Sequence, residues 1–474
     1  MRVILRDKSN RGADVDYLRK RDLILHGPML KVILVLSGPV MLTNFIQTLY
    51  NLVDTYFVGW LGTTEIASVQ FIWPVIFLMM SIGMGLSLAS TSLISQYTGA
   101  DSHEKAKKVA GQILTLSTVL AVTIGSIGFI FTGPLLRLMQ ADGALYTNAK
   151  AFLEIMFLGL PSVFLMFSYS AIKTGLGDTY TPMKISAMSA VSNMFLDPLF
   201  MFTFGFGLRG AAIATVLARA VFGIYAVLTL FNRSNDFHIE ISDLKPDFTF
   251  LSQIVRMGLP NSFGQSMTSL GFMIMNIFIV GFGQATLTSF AIGNRISGLI
   301  LMPAMGVGSA LASIVGQNIG ADNLKRAKEA VKTSVLVTTA VLIAGGSLIL
   351  YFAQDIVMIF SDDPLVINQG TYYVRLITAS LPLMGIYQIL IGTFQGSGHT
   401  VFAMIMMMGR LWFFRLPLII LLGRFTDLGS NAVWYSMITS NFLICLVGTA
   451  IYFSGKWHTK TIKTTPNRVG VPAK

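Results

Sequence analysis

Two carboxylates, Asp54 and Asp197, stand inside long apolar stretches of the sequence. A charge at the centre of a membrane helix costs at least about 2.5–3.5 kcal/mol on insertion scales, so it is retained for chemistry or for bonding. Both acids have polar company at helical spacing. Asn44, Gln47, Asn51 and Asp54 recur at i, i+3, i+7 and i+10, along one face of a helix with Tyr50 at its border. Asn193 and Asp197 are four apart, again on one face. Thr215, in the next apolar run, falls at the depth of the two acids if the chain crosses a membrane back and forth. Carboxylates at one level, with amide, hydroxyl and phenol oxygens nearby, suit a proton or a sodium ion equally well. We read Asp54, Asn193, Asp197 and Thr215 as a cation-coupling cluster, bordered by the polar groups of Gln47, Tyr50 and Asn51. The alternative is that each acid only accepts hydrogen bonds from neighbouring helices.

The elements that must position these residues follow from composition. Of 474 residues, 53% are hydrophobic and 12% charged, against about a quarter charged in soluble domains. Twelve apolar runs are long enough to span a bilayer: 33–60, 67–97, 109–136, 147–172, 183–206 and 210–232, then 254–281, 287–317, 331–358, 368–394, 402–423 and 431–454. They are too long and too uniformly apolar for barrel strands, so the expected fold is an all-α integral membrane bundle. The net charge of +12 does not build a nucleic-acid surface, because the basic residues sort by loop. With a cytoplasmic N-terminus, roughly 24 Lys and Arg lie inside and about five outside, a strong positive-inside bias that puts both termini in the cytoplasm. The segment before residue 30 is polar, with Arg19, Lys20 and Arg21, and does not read as a cleaved signal peptide. Five scattered histidines and the single Cys445 carry neither metal-ligand spacing nor an internal disulfide.

The chain also repeats itself. A shift of 221 residues lays Gln96–Asp101 (Gln-Tyr-Thr-Gly-Ala-Asp) on Gln317–Asp322 (Gln-Asn-Ile-Gly-Ala-Asp), Pro39 on Pro260, Gly85 on Gly306, and Leu160-Pro161 on Leu381-Pro382. Gly175, Gly177 and Thr179 fall on Gly396, Gly398 and Thr400. Six spans precede the second copy, so two parallel six-helix lobes are expected, related by a pseudo-two-fold axis along the membrane normal. The expected division is a cytoplasmic segment 1–30, a first lobe 31–232, a cytoplasmic linker 233–250 with Asp236, Glu240, Asp243 and Lys245, a second lobe 251–455 and a cytoplasmic tail 456–474. A cleft between such lobes is where transporters bind substrate and around which the lobes rock. The second lobe lacks the acids: Met275 stands opposite Asp54, and the apolar stretch 416–418 opposite Asp197. Its intramembrane charges are cationic instead, Arg295, Arg410 and Arg415, which could pair with backbone carbonyls, with Asp427 or with lipid headgroups. Pro39 removes a backbone donor below Asp54 and is a candidate hinge. The 26 Met and 34 Phe suit an adaptable pocket. No serine–histidine pair or metal cluster stands out, so an enzyme is not expected, and neither is an organic cofactor.

These residues resemble the multidrug and toxic compound extrusion (MATE) family over nearly the whole chain. The resemblance is carried by Gly38-Pro39, by Tyr50–Gly59 (Tyr-Asn-Leu-Val-Asp-Thr-Tyr-Phe-Val-Gly), and by Gln-x-x-Gly-Ala-x closing the second and eighth spans. Gly175-x-Gly177-Asp178-Thr179 and Asn193-x-x-x-Asp197-Pro198 complete it. It implies a V-shaped, alternating-access antiporter that exports cationic or amphipathic compounds against H⁺ or Na⁺. Gln47, Tyr50, Asp54, Asn193, Asp197 and Thr215 match the polar set of members whose coupling acid lies in the first helix. No acid occurs near Gln388, which places the chain closer to the DinF-like branch, while Lys173-Thr174 departs from the arginine that many members carry before Gly-x-Gly. A monomer in a bacterial or archaeal cytoplasmic membrane, touching lipid and small molecules only, is the expected setting. The competing functions are a flippase for a lipid-linked precursor, whose mark would be a cation-rich cleft, and more remotely a channel or receptor.

Overall fold

An apolar run in hydrocarbon must satisfy its own backbone, and a helix does so within one segment. The computed structural model describes residues 19–462 except 234 and 236, and within them the long apolar runs are helical and no strand occurs. In order they are α1 (Met29–Leu61), α2 (Thr63–Gly99), α3 (His103–Leu138), α4 (Gly143–Gly175), α5 (Tyr180–Thr203), α6 (Leu208–Leu230) and α7 (Phe248–Val280). There follow α8 (Gln284–Gly320), α9 (Leu324–Tyr351), the short α10 (Ala353–Met358), α11 (Pro364–Ala379), α12 (Leu381–Gly396), α13 (Thr400–Phe425) and α14 (Asn431–Phe453). Among the described residues eleven helices are long and apolar enough to cross a bilayer, or twelve if α11 and α12, bent by 48° at their break, are one span. Most of the expected 1–30 segment, the end of the 456–474 tail, and Asp236 of the linker lie outside the described residues. Large apolar side chains ring the bundle: Phe195 is 74% and Ile130 68% exposed, a surface suited to lipid.

Two spans differ from the sequence expectation. The run 331–358 is not one helix: α9 stops at Tyr351 and the short α10 follows as a separate helix. The run 368–394 breaks at Ser380, although Pro161, its counterpart of Pro382, sits inside an unbroken α4. Proline removes a ladder donor in both helices. In the second lobe the Ser380 hydroxyl also bonds the Ile377 carbonyl at 2.8 Å, competing with the ladder. The equivalent residue in α4 is Gly159, which has no hydroxyl to offer.

The repeat is visible in backbone conformation and in how the halves meet. Asp101 and Asp322 adopt positive φ (57° and 60°), and so do Gly177 and Gly398 (84° and 82°). At the end of the bundle that holds the start of α1 and the end of α14, the lobes touch through pairs that exchange under the 221-residue shift. Gly99 abuts the Gln317 backbone and Gly320 the Gln96 backbone, so closely that a Cβ at either glycine would collide. Gln96 Nε2 donates to the Gly396 carbonyl at 3.3 Å, and Gln317 Nε2 to the Gly175 carbonyl at 3.0 Å. Deeper in, Gly85 packs on Ser262 of α7, and Gly306 packs on Met41 of α1. The helical stretch 19–26 lies over this junction: Arg21 donates to the Thr98 and Gly99 carbonyls, and Arg326 to those of Ile24 and Gly27. Lys20 pairs with Asp178 at 3.2 Å. Burial opposes ionisation of Asp178, but the Thr181 N–H and hydroxyl, with Lys20 and Lys173, hold its carboxyl below the usual carboxylate range.

Candidate functional site

The first-lobe cluster is assembled by α1, α5 and α6. Tyr50 is buried, and its hydroxyl lies 3.1 Å from Thr215 Oγ1 on α6, which fixes the outer half of α1 against that helix. One turn further along α1, Asp54 is half-buried. Asn193 and Asp197 are buried on α5, and Asn193 Nδ2 donates to Asp197 Oδ1 at 3.0 Å. Asp54 and Asp197 are within electrostatic range of each other. Asp197 Oδ2 and Asn193 Oδ1 are buried and accept no hydrogen bond among the described residues. A buried acceptor without a donor is costly, and two open acceptors on side chains already bonded to each other are what a proton or small cation would satisfy.

The polar stripe of α1 divides among three surroundings. Asp54 and Tyr50 meet α5 and α6. Gln47 and Asn51 bond each other at 3.3 Å on an exposed part of the helix. Asn44 lines the cavity between the lobes. α1 runs through Pro39 as one helix, with the Thr43 hydroxyl bonded to the Pro39 carbonyl at 2.9 Å.

Sequence reasoning missed Arg219. It lies on α6 four residues after Thr215, on the same face, within electrostatic range of Asp54 and Tyr50. The cluster is therefore two carboxylates with a guanidinium in range of one of them, Asp54, not carboxylates alone. Arg219 was findable as a base inside an apolar run, spaced one turn from a residue already in the set. The second lobe offers no equivalent. Met275, opposite Asp54, is buried with Phe290, Tyr373 and Trp434, and the last two rings stack at 4.2 Å.

Between the lobes lies a cavity of about 720 Å³, lined from the first lobe by Asn44, Ser87 and Phe167 and from the second by Gln265, Asn294 and Gln388 among others. Arg410 and Arg415 line it as well. This corrects the expectation for the second-lobe charges. Both side chains turn into protein, with neither lipid nor Asp427 as partner, because burial among Tyr387, Ser440 and Asn441 gives them rings and neutral acceptors instead. Arg295 is exposed and does not line the cavity.

Known proteins resemble this chain throughout. The MatE family pattern matches residues 39–199 and 260–421, the two repeats. The "Probable multidrug resistance protein YoeA" of Bacillus subtilis is 29% identical over 442 residues, 90% of this chain and 93% of its own length. A protein of Shewanella oneidensis named "FAD transporter" is 24% identical, over 94% and 99% of the two chains. Among solved structures, the outward-facing conformation of a multidrug resistance MATE family transporter of the MOP superfamily has a TM-score of 0.86 at 27% identity. It covers 91% of this chain and 96% of that one. The V-shaped two-lobe architecture of those transporters is the architecture found here.

Proposed function

Since the chain belongs to the MatE family of multidrug efflux transporters, integral membrane proteins that are not enzymes, we propose that it exports amphipathic or cationic organic compounds in exchange for H⁺ or Na⁺ by alternating access. The observation that carries this reading is the asymmetry of the lobes. Two carboxylates with unpartnered acceptor oxygens occupy the first lobe, and stacked aromatic rings fill the same corner of the second. A motor that moves two lobes needs only one loading site. The acids in α1 and α5, with none in α7 or α12, favour a place in the DinF-like branch.

In this mechanism the outward-facing protein holds substrate between the lobes until the Asp54–Asp197 cluster takes up a cation. Helix α1 then bends near Pro39, where Pro39 leaves the Val35 carbonyl without its ladder donor. The cavity shrinks and substrate leaves. Return to the inward-facing state releases the cation into the cytoplasm, the side to which the Lys and Arg bias assigns both termini. The packed junction between Gly99, Gln317, Gln96 and Gly320 closes that same side in the described conformation. Substrate selection in this reading rests on size and amphipathicity, in keeping with relatives whose names run from multidrug resistance protein to FAD transporter. The protein acts as a monomer in a bacterial or archaeal cytoplasmic membrane, contacting lipid and small molecules.

Everted vesicles test this. An imposed pH gradient or sodium gradient, applied separately, should drive accumulation of a fluorescent dye such as rhodamine 6G, and the effective gradient names the coupling ion. Equal dye movement with and without both gradients would contradict the antiport.

A further inference from the structure

The first-lobe cluster explains coupling but leaves the charges of the cavity unused. Arg410 and Arg415 lie in α13, whose segment Gly409–Arg415 is wound as a π-helix. In an α-helix, residues five apart are about 140° apart around the axis. The i→i+5 bonding of a π turn brings them to one side, and here both arginines line the same cavity. They are 8% and 2% exposed. A charge this deeply buried is ordinarily matched by an opposite one. Among the described residues, neither arginine has a carboxylate partner and no Asp or Glu lines the cavity.

Their existing partners are neutral. Arg415 Nε donates to Ser440 Oγ at 3.0 Å and Nη2 to Asn441 Oδ1 at 2.7 Å, which fixes the guanidinium without cancelling its charge. Arg410 Nη1 reaches the Met384 sulfur at 3.6 Å, and its guanidinium lies 4.9 Å from the Tyr387 ring and 5.9 Å from the Phe272 ring. Its Nε has no hydrogen-bond partner among the described residues. Two buried cations, one with a spare donor, thus stand beside aromatic rings in a space sized for a small molecule. Guanidinium groups fit the oxygens of carboxylates, sulfonates and phosphates, and aromatic walls fit a flat ring.

We propose that the inter-lobe cavity binds amphipathic aromatic anions, with the anionic group on Arg410 and Arg415 and the ring system against Phe272, Tyr387 and Phe167. This rests on the exporter reading and narrows its substrate class. It also separates the tasks of the two lobes: the coupling cation goes to carboxylates in the first, the anionic substrate to arginines facing the cavity from the second. An anionic lipid headgroup shares the same chemistry, so the test must separate the two sources.

Fluorescein and rhodamine 6G share a xanthene ring and carry opposite charges. Binding of each to the full-length protein in phosphatidylcholine nanodiscs is read by fluorescence polarisation. Fluorescein should bind about tenfold tighter than rhodamine 6G or better, a comparison that needs no variant. Arg410→Gln should weaken fluorescein about tenfold, Arg410→Lys should restore most of the affinity, and rhodamine 6G should be unchanged or tighter. Phosphatidylglycerol added to the discs assigns the anion to lipid if it displaces fluorescein in an Arg410-dependent way, and to a soluble compound if it does not. Equal affinity for the two dyes, or fluorescein binding unchanged in a folded Arg410→Gln protein, overturns the proposal. The exporter reading survives that outcome if gradient-driven rhodamine 6G transport persists, so the two failures are distinguishable.

Discussion

Asp54→Asn abolishes gradient-driven export while leaving membrane insertion and folding intact. Asparagine keeps the shape of the side chain and two polar atoms, so the packing of α1 against α5 and α6, held by the Tyr50–Thr215 contact at 3.1 Å, is preserved. What is lost is a group that can alternate between loaded and empty. A site that cannot distinguish those states cannot bias a conformational equilibrium, so dye movement should fall about tenfold or more, to the level of vesicles without the protein. Because Asp54 is half-buried and faces Arg219 across the cluster, the melting temperature should move little. Export at the wild-type rate by the Asn protein would remove Asp54 from the coupling mechanism.

The second large effect is expected at Asp197, where function and stability part company. This carboxylate is wholly buried, accepts one hydrogen bond from Asn193 and leaves Oδ2 unpartnered. A side chain kept for structure would be fully bonded, and its removal would cost stability. For a carboxylate held with an open acceptor next to Asp54, neutralisation instead relieves an uncompensated burial. Asp197→Asn should therefore cut export about tenfold or more, yet melt at the wild-type temperature or above it. Loss of stability with export retained would reduce Asp197 to a hydrogen-bond acceptor for α5, the alternative that its sequence position left open.

Much of this was legible in the sequence because hydrocarbon is an exacting solvent. Apolar runs of about 20 residues have one structural solution, so the spans could be read by length alone. The 221-residue repeat marked Gly99 with Gly320 and Gln96 with Gln317, and these are the residues that cross over to pack one lobe on the other. The absence of acids from the second-lobe positions opposite Asp54 and Asp197 could be read as well. What the sequence hid is local helix geometry. Proline pairs align at 161 and 382, yet only the second stands at a broken span, where Ser380 replaces Gly159 of the first lobe. The π turn of α13 was invisible too. Under α-helical spacing Arg410 and Arg415 point apart, and lipid or a distant acid looked plausible for them; the wider turn sends both into the cavity. Arg219 carries the same signal as Asp197, since its spacing from Thr215 is that of Asp197 from Asn193, within an apolar run.

The central claim is that substrate movement and cation movement are one process, run through the carboxylates of the first lobe. The direct measurement uses purified protein in proteoliposomes, with a substrate gradient as the only driving force and luminal pH and sodium recorded together. The account predicts that one of the two ions moves against the substrate gradient in the wild-type protein, and that this movement disappears in Asp54→Asn. Substrate crossing with no opposed ion flux, or an undiminished flux in the Asn protein, would contradict it.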